Sequence, residues 1–268
     1  MINTYNLFLH RIIKIFVNLI KFKKKALYFK LISTLSIDNY LYSYDKLKIY
    51  KSNIKDITFK YTVSGLYMGS FQKKLEQFKD NFYFLDIGSN IGYFSLITGK
   101  NSKCKKTFSI EPNPPIVKFL TKNLNANLKK VKYEIFNLAI SKVNGNLKFY
   151  INDEDSGSSS LIKKKQDNFI KVKSRNYNLF NQIFSKTDKK SKFFVKIDTE
   201  GKDKEVLNEL KKSKIFKYIY CIYIEIENKK NKIPNIKNIL KKFLLIKKHP
   251  ITENSKNKKQ INIEFLRK

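Results

Sequence analysis

Three short acidic motifs in this chain have the residue types and spacing needed to hold and use a small cofactor. The first is Asp86-Ile87-Gly88-Ser89-Asn90-Ile91-Gly92, directly after the apolar run Phe82-Tyr83-Phe84-Leu85. Gly88 and Gly92 let the backbone turn tightly and approach a ligand, and a helix opening after them presents unpaired N–H groups. Asp86, at the strand end, is placed to accept hydrogen bonds from a cationic or hydroxylated ligand. The second motif is Glu111-Pro112-Asn113-Pro114-Pro115, after the short apolar run that ends at Ile110. An acidic residue roughly 20 to 25 positions beyond the first turn is where a doubly wound fold grips ribose hydroxyls. The third is Asp198-Thr199-Glu200-Gly201, where two carboxylates close to a strand end can take a proton from a reacting hydroxyl.

The spacing G-x-N-x-G lacks the third glycine of the dinucleotide fingerprint, whose purpose is to cradle a pyrophosphate. A ligand without phosphates fits better, and S-adenosylmethionine is the cofactor expected. Asp86, Gly88, Asn90 and Gly92 are then assigned to its methionine portion, Glu111 to the ribose with Asn113 helping to position that loop, and Asn137 with Ala139 to the adenine edge. Asp198 and Glu200 are the candidate catalytic carboxylates, with Asp203 and Glu225 behind them. The bland alternative for Asp198 is a helix N-cap. Lys196, inward on the same strand, needs an acidic partner if buried.

Four segments resemble the FkbM-type S-adenosylmethionine-dependent methyltransferases: Leu85 to Gly92, Ile110 to Pro114, Asn137-Leu138-Ala139-Ile140-Ser141, and Val195 to Asp203 with the following Val206-Leu207. The combination K-I-D-x-E-G is the most specific of these, and Asp203 stands where the family usually has Glu. The likeness covers about residues 80 to 227. It implies a Rossmann-like methyltransferase domain that moves a methyl group to an oxygen, commonly a hydroxyl of a sugar, a glycan or a related product.

From Phe82 onward, apolar strands alternate with helical runs, which predicts an α/β fold with a doubly wound, mostly parallel sheet. Strands are expected near 82–87, 106–110, 133–138, 193–197 and 218–225, and helices near 91–99, 115–126, 202–212 and 234–242. Ile261 to Phe265 alternates and is expected to be an antiparallel last strand, completing the class I methyltransferase arrangement. Residues 55–70 alternate at Ile57, Phe59, Tyr61 and Val63 and predict a small hairpin. Asn144-Gly145 predicts another between Ala139-Ile140 and Leu147 to Tyr150. The division expected is a basic, apolar N-terminal extension over 1–55 and a methyltransferase domain over 56–268.

The cluster Asp153-Glu154-Asp155-Ser156-Gly157-Ser158-Ser159-Ser160 reads either as a flexible surface loop or as a segment closing over the acceptor. Asn152, Ser158 and Ser159 loosely resemble a stretch common in the family.

The 268 residues carry 56 Lys and Arg against 22 Asp and Glu, a formal charge of +34. That field attracts nucleic acid, anionic lipid or a polyanionic glycan. Only Arg11, Arg175 and Arg267 are arginine, and phosphate recognition favours the bidentate guanidinium. An acceptor that is a small molecule or glycan is therefore preferred over RNA, and an RNA methyltransferase or a non-catalytic adaptor at an anionic membrane is the alternative. Residues 5–25 are apolar and basic but interrupted by His10, Arg11 and Lys14, too polar to span a bilayer. They read either as a face packed on the domain or a partner subunit, which is preferred, or as an interfacial helix. Cys104, Cys221, His10 and His249 are too scattered for a zinc site, no metal is expected, and buried thiols suit a cytoplasmic location. His249, before Pro250, is expected in a surface turn.

Overall fold

The computed structural model describes residues 2–19, 24–67, 69–129, 132–163, 168–227, 232–249 and 260–268. Residues 20–23 of the basic N-terminal segment and Pro250 lie outside the described residues. The chain opens with α1 (Ile2–Leu19) and α2 (Lys24–Leu35), then β1 (Tyr40–Tyr42) and β2 (Lys48–Tyr50), an antiparallel pair, followed by α3 (Ile57–Ser64) and α4 (Ser70–Gln77). One face of α1 places Ile13 and Val17 in the core with Tyr28, Phe59 and Phe82. The buried hydroxyl of Tyr28 donates to the Tyr42 carbonyl at 2.6 Å and faces His10 Nδ1 at 2.6 Å. Burial holds His10 down at about 4, so it is a neutral core residue.

The central sheet is built from β3 (Phe82–Ile87), β4 (Cys104–Ile110), β5 (Tyr133–Phe136), β9 (Lys192–Ile197), β10 (Ile219–Glu227), β11 (Phe243–His249) and β12 (Gln260–Arg267). Its order is β11-β12-β10-β9-β3-β4-β5. Strands β10, β9, β3, β4 and β5 run parallel, and β12 is antiparallel to both its neighbours. All six residues of β3 are buried, the pattern of a strand covered on both faces. Its side chains alternate between two cores. Tyr83, Leu85 and Ile87 pack with α7 (Asn178–Ser185) and α8 (Asp203–Lys212), whereas Phe82 and Phe84 pack with α5 (Tyr93–Gly99), α6 (Pro114–Asn127) and the N-terminal elements. The chain leaves β3 toward β4 on one side and returns to β9 on the other, so the strand order switches between β3 and β9.

A second sheet holds β6 (Ala139–Ile140), β7 (Gly145–Tyr150) and β8 (Phe169–Arg175) in the order β6-β8-β7. The turn at Asn144-Gly145 therefore does not close a hairpin between its flanking strands, because β8 lies between them. Residues 55–70 are not a hairpin either. Asp56 caps α3 by accepting from Thr58 N, and Gly65, at φ 66°, donates to the Thr62 and Tyr61 carbonyls. Those two punctuation residues override the alternation, and the buried set Thr58, Phe59, Thr62 and Val63 is helical in spacing. Helix α9 (Lys232–Ile239) ends before residue 242, and the edge strand β11 follows it. His249 is not in a turn: it closes β11, opposite Asn262. The charges Lys247 and Lys248 that hid this strand's pattern are what an exposed edge favours.

Candidate functional site

The carboxyl ends of β3, β4 and β9 meet at the switch point around a partly open cavity. The turn after β3 forms its floor. Gly88 has φ 75°, and its carbonyl accepts from Lys196 Nζ at 3.0 Å while its N–H donates to the Ile110 carbonyl at 3.0 Å. A Cβ at Gly88 would stand 1.7 Å from the Asp198 carbonyl oxygen, so only glycine fits. Asn90, also left-handed at φ 47°, bonds Ser156 Oγ through its amide at 3.1 Å.

Glu111 closes the β4 side. Its carboxylate accepts from Asn90 N at 2.9 Å and Asn113 N at 3.0 Å, which locks the two ligand loops together. Burial raises its pKa to about 7, although both N–H groups favour the charge. A carboxylate has about four acceptor positions, so two remain for ligand hydroxyls. Ser89 Oγ and Asn113 Oδ1, in the loops on either side, are buried and have no hydrogen-bond partner among the described residues. Ile110, Leu138, Ala139 and Ile140 make an apolar wall.

Lys196 stands between two carboxylates: Nζ is 3.0 Å from Asp198 Oδ2 and 3.7 Å from Asp86 Oδ1. Burial opposes its charge, yet Asp198 and Asp86 outweigh burial and raise its pKa. Its ammonium also faces the Phe94 ring at 5.5 Å. Oxygens of Asp198, Glu200 and Glu225 lie within 4.8 Å of one another. Burial, then Asp198 and Glu200, push Glu225 well above the usual carboxylate range. Glu200 holds a left-handed φ of 53°, a strain of the kind that gathers at working sites. Asp203 stabilises this loop by accepting from Thr199 N and Oγ1 at 2.8 and 2.9 Å and from Gly201 N at 3.1 Å.

The acidic serine segment covers the cavity, and it is tied down. Ser156, opening a single 3-10 turn, donates through Oγ to Asp56 Oδ2 at 2.6 Å and through N to Asp56 Oδ1 at 3.2 Å. Gly157 N donates to Thr58 Oγ1 at 3.1 Å. Asn152 reaches Ser159 Oγ through its N–H and Ser158 Oγ through its amide.

The model of the Vibrio cholerae RfbT protein family matches residues 13–255. The chain belongs to that family. No curated protein matches it. Among solved structures it is similar to P. horikoshii TYW2 in complex with MeSAdo, at 12% identity and TM-score 0.51 over 85% of this chain and 71% of that one. M. jannaschii TYW2 in complex with AdoMet aligns at 17% identity and TM-score 0.40, over 74% and 75% of the two chains. Precorrin-6y C5,15-methyltransferase of Geobacter metallireducens gives 10% identity and TM-score 0.41, over 74% and 87%. The fold is that of the Rossmann-like class I methyltransferases.

In this member of the RfbT family, six of the residues expected at the site line the cavity: Gly88, Asn90, Glu111, Ala139, Asp198 and Glu200. The other four do not. Asp86 is fully buried below the turn, where Oδ2 accepts from Ser95 N and Oγ at 3.1 and 2.7 Å. It anchors α5 and Lys196 and does not line the cavity. Asn137 is turned away from the cavity and donates to the Glu111 and Pro112 carbonyls at 2.9 and 3.0 Å. Gly92 holds a left-handed φ of 92°, which favours glycine, and a Cβ there would also press on the end of the Leu120 side chain. Asn113 contributes its N–H to Glu111. Asp198 is no helix cap, since its carboxylate faces Lys196, and Asp203 is committed to the 199–201 loop and is not a free base. Thr58, Thr62, Tyr67, Phe94, Phe149 and Leu161 also line it. Nothing in their local sequence marks them, because they arrive from α3, the segment after it, α5, the second sheet and the segment between β7 and β8.

Proposed function

We propose that this RfbT-family chain binds S-adenosylmethionine and methylates a hydroxyl of a sugar, glycan or related small molecule. One observation carries the reading: Glu111, the Gly88–Asn90 turn and the Lys196-Asp198-Glu200 group face a single cavity at the switch point of the sheet, where open α/β sheets bind ligands. The residues fit the cofactor. Glu111 would take the ribose hydroxyls, the wall of Ile110, Leu138, Ala139 and Ile140 the adenine, and the orphaned Ser89 side chain offers a polar partner beside them. Glycine at position 88 lets the turn pack directly against the Asp198 carbonyl, which no side chain would allow. The likeness of Val195 to Asp203 to the FkbM-type signature supports transfer to oxygen.

S-adenosylmethionine supplies a methyl group already activated on a sulfonium. The chain's own residues hold and align the acceptor and manage its proton. Asp198 and Glu200 are placed to accept the hydroxyl proton, and the neighbouring Glu225, whose proton affinity is raised, can share it within the cluster. Lys196 fixes the position of the Asp198 carboxylate through their 3.0 Å ion pair. Burial raises Tyr67 well above its ordinary value, so it serves as a hydroxyl donor and not as a base. Ser156, Gly157 and Ser159 line the cavity from the segment that Asp56 and Thr58 tie down.

Calorimetric titration of S-adenosylmethionine and S-adenosylhomocysteine into the wild type and Glu111→Ala tests the cofactor. Micromolar binding, weakened at least tenfold by the substitution, is expected. No binding to the wild type would overturn the proposal. Methyl transfer from labelled cofactor to glycans and to transcribed tRNA then decides the acceptor class, and label in RNA alone would refute the hydroxyl-bearing glycan.

A further inference from the structure

Helix α1 has two apolar faces, and the fold uses one of them. Asn6, His10, Ile13 and Val17 point inward and are at most 4% exposed. On the other side, Tyr5, Phe8, Ile12, Ile15 and Phe16 stand between 47% and 65% exposed. At about 100° per residue these five fall within an arc of roughly 100°, so they form one continuous stripe. Scattered exposed apolar residues need no explanation, but a contiguous stripe marks an interaction surface.

We propose that this stripe seats α1 in the interface of an anionic lipid bilayer. The charge distribution selects that occupant. Asp38 is the first acidic residue of the chain, and Arg11, Lys14, Lys21, Lys23, Lys24, Lys25 and Lys30 precede it. A basic segment with an apolar face is attracted to anionic head groups while its large side chains enter the acyl boundary. Arg11 is exposed beside the stripe, whereas Lys14 is committed to the fold through the Tyr44 carbonyl at 2.6 Å. A second copy of the chain is the poorer occupant, because it would bring a charge of +34 against +34. The helix lies on the membrane and does not cross it: no helix among the described residues is long and apolar enough to span, and the His10 face is held in the core. This docking is independent of methyl transfer, and its test needs no activity.

The chain contains no tryptophan, so Phe8→Trp provides a single emitter on the stripe. It is titrated with vesicles of phosphatidylcholine alone and of phosphatidylcholine with phosphatidylglycerol, at low and high salt, beside a parallel titration with single-stranded RNA. The expected result is a blue shift on the mixed vesicles, at least tenfold stronger binding than to neutral ones, and loss of both in Phe8→Trp carrying Ile12→Glu and Ile15→Glu. Those two substitutions are at exposed positions, and an unchanged melting temperature and circular dichroism spectrum verify that the fold survives. Sedimentation with vesicles without a blue shift would show attraction by charge alone and overturn the proposal. So would equal binding by the Glu variant, an equal blue shift on RNA, or a shift that depends on protein concentration without vesicles, which would assign the stripe to a second copy.

Discussion

Replacing Lys196 by Met removes the one cation between two carboxylates and leaves the fully buried Asp86 beside a thioether. At 3.7 Å and an effective dielectric of about 20, the Lys196–Asp86 attraction is about 4–5 kcal/mol, in line with the roughly 3–5 kcal/mol lost when one partner of a buried pair is removed. Asp198, with 31% of its side chain exposed, loses less because water reaches it. Burial already raises the Asp86 pKa despite Lys196 and Ser95, and losing the lysine raises it further. The sign follows: protonating Asp86 relieves the penalty, so the deficit of Lys196→Met is largest at pH 8 and shrinks toward pH 5, by up to about 1.4 kcal/mol per pH unit. Urea unfolding followed by circular dichroism at both pH values measures this. The double variant Lys196→Met, Asp86→Asn should recover at least half of the loss at pH 8. A deficit below about 1 kcal/mol at pH 8, or no recovery in the double variant, would refute the view that this lysine holds the floor of the site together.

Gly88→Ala must push the Asp198 carbonyl oxygen from 1.7 Å to beyond 3.0 Å and forces a left-handed Cβ residue. Cofactor affinity should fall by about 100-fold or more, and calorimetry showing a loss below tenfold would contradict the close approach. Glu111, raised to about 7 by burial, must be ionised to accept ribose hydroxyls, so affinity should rise between pH 6 and 8 with a midpoint near 7. The same group stabilises the ligand-free fold below its unfolded pKa and loses that contribution as pH rises through 7. Affinity that is equally pH-dependent in Glu111→Gln would assign the titration elsewhere. Asp56→Ala removes the α3 cap and both bonds to Ser156, and should cost about 2 kcal/mol or more. Hydrogen exchange over residues 153–160 should accelerate, and unchanged protection there would show that the roof is held by other contacts.

What the sequence determined by itself is local. Gly88, Gly92 and the prolines after Glu111 announce turns because few residues tolerate those backbone conformations, and Phe82 to Leu85 and Phe193 to Val195 announce central strands because a doubly covered strand is apolar on both faces. Lys196 was legible too, since a lysine inside such a strand requires a counter-charge. The tertiary structure decided which acids line the cavity. Asp86 and Glu111 both stand at strand ends, yet one is sealed beneath the turn and the other opens to the cavity, a difference made by α5 packing over Asp86 through Ser95. Asp203 and Glu225 differ in the same way, one consumed by its own loop and the other pressed against Asp198 and Glu200. The roof from α3 and the Ser156 turn was invisible because its bonds join residues about a hundred positions apart, and no local pattern records a contact of that separation.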